Sequence, residues 1–102
     1  MKRTIKPNQF VPKKKVGKNY IVMLSDSTEG EKVVVDQFVF PFDPKDYDRV
    51  ASHIVRERYS ADKMEALLNN YLFDAEKYKD EFDAMQKWRS FAKESAKKII
   101  AL

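Results

Sequence analysis

The chain has 102 residues, of which 43% are hydrophobic and 13% aromatic, and this is enough for one domain with a single modest core. It contains no cysteine, which excludes disulfide bonds and thiolate metal sites. No stretch approaches the roughly 18 to 20 apolar residues of a membrane-spanning helix, so we expect a soluble, unexported protein with no membrane partner.

The formal net charge of +4 is unevenly distributed. Residues 1–18 contain no acid, and their charged residues are Lys2, Arg3, Lys6, Lys13, Lys14, Lys15 and Lys18. We predict a flexible basic arm over residues 1–18, followed by a single domain over residues 19–102. The cluster of Lys13, Lys14, Lys15 and Lys18 is the candidate site for a polyanion such as nucleic acid, and a solvated leader without a ligand is the simpler alternative.

The first predicted elements are two β-strands. Residues 20–24 and 32–40 are rich in β-branched and aromatic residues and flank the turn-forming segment 26–30. The pattern predicts an antiparallel hairpin over residues 19–40, joined by a loop rather than by a tight two-residue turn. Because an isolated two-stranded ribbon is marginal in water, we expect helices to cover it or another strand to extend it. The sheet is therefore predicted to have two or three strands, and the third could come from residues 9–11 or from a second chain.

Three hexapeptides then share one pattern: an aromatic residue, a capping Asp or Ser, and a large apolar residue four positions after the cap. They are residues 42–47, 59–64 and 73–78. This pattern is typical of a helix N-cap with a hydrophobic staple. It predicts helices over about 44–59, 61–72 and 75–100, capped by Asp43, Ser60 and Asp74. The sequence therefore indicates an α+β fold.

The second and third predicted helices both carry apolar stripes. The stripe of the second helix consists of Met64, Leu67, Leu68, Tyr71 and Leu72. In the third helix, Trp88 and Phe91 broaden the apolar sector to about half the circumference, which indicates two neighbouring elements. Arg89 falls near the middle of this wider stripe, where an unpaired guanidinium is costly to bury. Either it pairs with a carboxylate of an earlier helix, or the stripe opens there to solvent or a partner. Trp88, Arg89 and Phe91 are the candidate partner interface.

Signals of catalysis are weak. His53 is the only histidine, and its neighbour Ser52 points about 100° away on a helix. The acidic cluster of Asp43, Asp46 and Asp48 lacks the glycine and terminal glutamate of a calcium loop. With two glycines in the whole chain, a glycine-rich phosphate loop is absent. We expect no enzyme activity, no metal, no cofactor and no small-molecule substrate.

Residues 55–62 (Val-Arg-Glu-Arg-Tyr-Ser-Ala-Asp), 64–68 and 88–93 resemble segments of small prophage-encoded proteins found among phage tail genes. In that pattern an Arg-Tyr-Ser-x-Asp segment begins a helix pair, which ends with an aromatic and a basic residue. The resemblance covers about residues 55–98 and implies a structural or assembly role, in the host cytoplasm or in the virion.

We therefore expect a non-enzymatic structural, assembly or interaction protein, which forms a homo-oligomer or binds another structural protein. The alternative is a nucleic-acid-binding accessory protein that uses the basic N-terminal segment.

Overall fold

The computed structural model describes residues 2–29 and 32–102, and for residues 26–29 it describes the backbone alone. Four strands precede three helices. The strands are β1 (Lys2–Ile5), β2 (Lys13–Val16), β3 (Asn19–Glu29) and β4 (Lys32–Phe40), with a short 3₁₀ turn at Pro7–Gln9; the helices are α1 (Tyr47–Arg56), α2 (Ala61–Phe73) and α3 (Ala75–Ile100). The predicted α+β class is confirmed. No helix in the described ranges is both long and apolar enough to cross a lipid bilayer.

The predicted hairpin is confirmed as β3 and β4, which pair antiparallel from Tyr20–Phe40 to Glu29–Lys32. The predicted loop over residues 26–30 is wrong for residues 26–29, because the β3 backbone continues through them. Residues 30 and 31 lie outside the described residues. A shift in pairing between Ser25 and Ser27 places a bulge in β3, which lets the long strand bend while its ladder continues.

The basic N-terminal segment differs from the predicted flexible arm. β1 pairs with β4 and β2 pairs with β3, so the sheet has the order β1-β4-β3-β2. The sheet thus has four strands rather than two or three, and residues 9–11 do not supply one. Open edges of β3 and β4 carry backbone groups that need partners. Short, lysine-rich strands are well suited to the outermost positions, since their charge discourages further pairing.

A tight turn joins β2 to β3. Gly17 has φ of +62°, and no other described residue has a positive φ. Gly17 and Lys18 are therefore the two central residues of a turn with positive φ at its first position, the arrangement of a type II′ hairpin turn. This turn fixes the register in which Lys15 lies opposite Tyr20 and Lys13 opposite Val22.

Helices α1 and α3 cover one face of the sheet. The core between them is fully buried and consists of Val22, Phe38, Phe40, Val50, Ile54, Ala92, Ala96 and Ile99. Within it the rings of Phe38 and Phe40 stack with centroids 6.2 Å apart, and Phe38 lies 6.1 Å from Phe91 of α3. Aromatic contacts at such distances add to the free energy of burial itself. The core therefore fixes the middle of α3 against the sheet.

Two of the three predicted helix starts are confirmed. The Ser60 hydroxyl accepts a hydrogen bond from Lys63 N at 3.1 Å, and the Asp74 carboxylate accepts one from Lys77 N at 3.1 Å. The predicted aromatic staple at Phe73 is wrong, since this side chain is 92% exposed. A one-residue link between α2 and α3 leaves Phe73 pointing away from the helix that it precedes.

The predicted start of α1 at residue 44 and its cap at Asp43 are wrong. The helix begins at Tyr47 and ends at Arg56, and Asp46 caps it by accepting from Asp48 N at 2.9 Å and Arg49 N at 3.4 Å. Asp43 is instead held by two ammonium groups, those of Lys13 at 2.9 Å and Lys45 at 3.2 Å. Its carboxylate thereby joins β2 to the segment before α1.

Helix α3 has different neighbours along its length. In its first half, Phe82 stacks on Tyr71 of α2. In its second half, Trp88 donates to Ile54 O of α1 and Phe91 contacts Phe38 of the sheet, and all of its buried residues lie between Met85 and Ile99. The molecule measures 50 × 32 × 20 Å, and its radius of gyration of 16.0 Å exceeds the roughly 13 Å of a compact domain of this size. We call residues 61–84, which comprise α2 and the first part of α3, the helical hairpin.

Candidate interaction surfaces

The end of the helical hairpin is apolar and uncovered. Leu72 is 81% and Phe73 92% exposed, and Leu68, one turn earlier on α2, is also exposed. We call these three residues the hairpin tip. Single exposed apolar side chains are common, but a contiguous group of large ones marks an interaction surface. The apolar stripe of α2 predicted Leu72 as a packed residue, and this is wrong because α3 covers only one side of α2.

The backbone explains why the tip stays uncovered. Asp74 is at once the last cap of α2, donating its N–H to Asn70 O at 2.9 Å, and the N-cap of α3. A connection of one residue offers no loop that folds back over Leu72 and Phe73. Farther from the tip, Tyr71 and Phe82 stack with ring centroids 3.9 Å apart, which ties α2 to α3. The tip is therefore carried on a firmly packed pair of helices.

A pocket of about 650 Å³ lies between α3 and the sheet. We call it the aromatic pocket; it is lined by Ala84, Trp88 and Phe91 together with the charged residues Lys2, Asp36, Arg58 and Lys87. The Trp88 and Phe91 rings stack with centroids 5.0 Å apart. Two of the three predicted interface residues thus lie in one concave, mainly apolar surface, which is the shape that typically accepts a ligand or a partner side chain.

Trp88 is held from three directions. Its indole Nε1–H donates to the Ile54 carbonyl of α1 at 3.0 Å. The Arg58 guanidinium lies 3.9 Å from the centre of its ring, a cation–π contact. Phe91 supports the ring from α3, and Phe91 itself rests on Phe38 in the core. The aromatic pocket is accordingly pre-formed, and Trp88 and Phe91 serve packing as well as presenting a surface.

Arg89 does not join the other two predicted interface residues. It lies across α3 from the aromatic pocket and lines a smaller pocket between α1, α2 and α3. Its Nη1 donates to Gln86 Oε1 at 3.0 Å, one turn earlier on the same helix. Of the two alternatives that the sequence left open, the geometry favours the open one: Arg89 is half-buried at an open pocket, and no carboxylate of the described residues lies within 4.0 Å of it.

The candidate polyanion residues are divided between the two faces of the sheet. Lys13 and Lys15 lie on the same face of the sheet as Tyr20, and their Nζ atoms are 6.0 and 5.7 Å from the centre of its ring. Lys14, between them in the strand, lies on the opposite face. Lys18 lies in the turn between β2 and β3. Together they form no single basic surface.

Lys13 is moreover committed to an ion pair. Its Nζ lies 2.9 Å from Asp43 Oδ1, an oxygen that is shielded from water. The close ion pair with Lys13, aided by Lys45, holds the pKa of the Asp43 carboxyl below its ordinary value, and partial desolvation opposes this only in part. The charge of Lys13 is thereby compensated within the fold.

His53 has a structural contact rather than a free imidazole. Its Nε2 lies 3.1 Å from the Val39 carbonyl oxygen, and because a carbonyl only accepts, Nε2 carries the hydrogen. The ring centroid is 5.1 Å from Phe40 and 5.5 Å from Phe42. His53 thus links α1 to β4. Across the described part of the chain, no group of three or more His, Asp or Glu residues lies together as metal ligands do.

Comparison of the chain with protein-family models, with curated proteins and with solved structures found no significant match. The candidate surfaces therefore rest on geometry and chemistry alone.

Proposed function

We propose that this chain is a non-enzymatic assembly protein that associates head to tail, with the hairpin tip of one copy inserted into the aromatic pocket of the next. The exposure of Leu72 and Phe73, at 81% and 92%, is the observation that carries the proposal. The resemblance of residues 55–98 to prophage proteins from tail gene regions is the reason for placing this assembly in a phage particle or its host cytoplasm.

A second copy of the chain is the occupant that fits the aromatic pocket, because one chain carries both complementary surfaces. The tip and the pocket cannot meet within a chain, since Phe73 and Trp88 are separated by roughly 22 Å along the rigid axis of α3. A contact between two different surfaces of identical chains repeats from copy to copy. It closes into a ring or continues as a filament, and either form is a structural assembly.

The energetics predict a weak contact per copy. Burial of a Leu and a Phe side chain contributes about 1.5–3 kcal/mol each, while association costs at least about 4 kcal/mol in lost motional freedom. The tip alone therefore leaves at most about 2 kcal/mol, and contacts with the charged residues around the pocket must add about 3 kcal/mol for the assembly that we expect at high micromolar concentration. In a closed ring the same contact is repeated between every pair of neighbouring copies, and this multivalency makes the ring more stable than a single contact.

Sedimentation velocity over a series of protein concentrations tests the proposal. The wild type should shift from monomer to larger species, and the double variant Leu72→Ser with Phe73→Ser should remain monomeric. Leu102→Ser is the matched control, because Leu102 is also a large exposed apolar residue, at 53%, but lies outside both surfaces. A wild type that stays monomeric at high micromolar concentration, or an equal effect of the control, refutes the proposal.

The runner-up proposal is nucleic-acid binding through β2, where Lys13 and Lys15 flank the Tyr20 ring as a basic residue pair flanks a stacking platform. It predicts binding that weakens steeply with salt and disappears when Lys13, Lys14 and Lys15 are changed to Gln. Binding that is absent, or indifferent to salt, excludes it. The ion pair of Lys13 with Asp43 and the division of the lysines between two faces favour the assembly proposal.

A further inference from the structure

The smaller pocket beside Arg89 has a chemistry of its own. It lies where α1, α2 and α3 meet and has a volume of about 260 Å³. We call it the basic pocket; its polar lining residues are Tyr47, Asp48, Ser52, Arg56, Arg89 and Lys93. At 3.6 residues per turn, Arg89 and Lys93 lie on the flank of α3 opposite to the one that forms the aromatic pocket. The two pockets are therefore separate sites.

The basic pocket brings together three cations and one carboxylate. Within the described part of the chain, neither guanidinium nor the Lys93 ammonium has a carboxylate within 4.0 Å. Arg56 Nη1 donates to two neutral acceptors, Tyr59 O at 3.4 Å and Met64 Sδ at 3.0 Å. Arg89 Nη1 donates to the neutral amide oxygen of Gln86. With Asp48 counted, the lining residues thus carry a net charge of +2.

Some other cations of the described chain do have carboxylate partners, even on exposed helix surface. Lys79 lies 3.2 Å from Asp83, and Lys97 lies 3.3 Å from Glu94. Arg89 is also half-buried on the apolar side of α3, where a neutral side chain would carry a smaller desolvation cost. A half-buried guanidinium without a counter-ion, beside two further cations, has the composition of an anion site.

We propose that the basic pocket binds the phosphate group of a small molecule. Guanidinium groups present paired N–H donors that match phosphate oxygens, and they hold such anions more tightly than neutral donors do. The pocket is smaller than the roughly 300–1,000 Å³ of sites that enclose whole drug-sized ligands, which suits one phosphate with a short substituent. Ser52 offers a hydroxyl donor, and Asp48 is the one opposing charge. This inference goes beyond the assembly function and does not depend on it.

The test is a calorimetric titration of the full chain with inorganic phosphate and with ribose 5-phosphate, at matched ionic strength and at protein concentrations where the chain is monomeric. Wild type should bind with one saturable site. Arg89→Gln and Arg56→Gln should each weaken binding by about tenfold or more, the loss expected for one ionic hydrogen bond. Asp48→Asn should tighten the binding of inorganic phosphate, because it removes the repelling carboxylate.

Lys98→Gln is the matched control, since it removes one positive charge from exposed α3 surface outside the pocket, and its effect should stay below about twofold. If circular dichroism shows that Arg89→Gln does not fold, Arg56→Gln still tests the proposal, because Arg56 is exposed and its substitution should not disturb the core. Tighter binding of ribose 5-phosphate identifies an organic monoester as the ligand, and equal binding identifies free phosphate. Absence of saturable binding, or a loss with Lys98→Gln equal to that with the arginine variants, overturns the proposal.

Discussion

Trp88 allows the packing account to be tested by a change of a few atoms. In Trp88→Phe the ring position is kept, but the indole N–H that donates to Ile54 O at 3.0 Å is lost. Ile54 O also accepts the Glu57 N–H at 3.2 Å, so it remains hydrogen-bonded. The loss is therefore that of one net hydrogen bond, about 0.5–1.5 kcal/mol, rather than that of a buried unsatisfied carbonyl.

Phe keeps a weaker cation–π contact with Arg58, so the change loses only part of the roughly 0.5–1 kcal/mol of such a contact. We expect Trp88→Phe to lower the free energy of unfolding by about 0.5–2 kcal/mol, which shifts the urea midpoint on the order of 1 M. Urea denaturation followed by far-ultraviolet circular dichroism measures this, since the variant lacks the tryptophan fluorophore. A double-mutant cycle of Trp88→Ala with Arg58→Ala removes the contact itself, and its coupling energy should be about 0.5–1 kcal/mol. A variant as stable as wild type, or a coupling near zero, refutes the packing account of Trp88.

Three further changes test the fold. The pKa of Asp43 is lowered in the folded state, so its ion pairs stabilise the protein at pH values above the unfolded pKa of about 3.9, and this stabilisation is lost as the pH falls through the folded pKa. The difference in unfolding free energy between wild type and Asp43→Asn should therefore be present at pH 7 and vanish in acid. A difference that stays constant with pH contradicts this reasoning. Gly17→Ala should lower the free energy of unfolding by about 1–2 kcal/mol because of the positive φ at this position. Backbone strain is the whole cost, since no atom lies within 4 Å of the added Cβ. Thermal unfolding measures the loss, which should be smaller for Gly17→Asn. Asp46→Ala should cost about 1 kcal/mol while Asp46→Asn costs little, and equal losses would argue against capping.

Local chemistry allowed much of the helical half to be predicted. Ser60 and Asp74 cap α2 and α3 at the expected positions, because a short acceptor side chain before an apolar stripe satisfies backbone donors in any context. Asp43 fits the same pattern but does not cap α1, because Lys13, thirty residues away in sequence, forms an ion pair with its carboxylate. No local signal in the sequence reveals that partner.

The sheet and the surfaces depended still more on distant contacts. The basic segment resembled a solvated arm, but the edges of β3 and β4 offered it backbone partners. Trp88 and Phe91 were predicted together with Arg89, which α3 places on its other flank. The exposure of Leu72 and Phe73 could not be predicted either, because it depends on how far α3 covers α2. In the structure, the one-residue link at Asp74 is what leaves these side chains uncovered.

Intermolecular cross-linking tests the assembly proposal most directly, and the natural absence of cysteine makes it clean. Asn69→Cys places a thiol on the exposed surface of α2, one turn before Leu72 and Phe73, and leaves both tip side chains in place; Ala84→Cys places a second thiol in the aromatic pocket. When the two variants are mixed and oxidised, the account predicts a disulfide-linked heterodimer that forms much faster than the dimers of either variant alone. Equal rates in the mixed and separate samples, or no heterodimer, would contradict head-to-tail association.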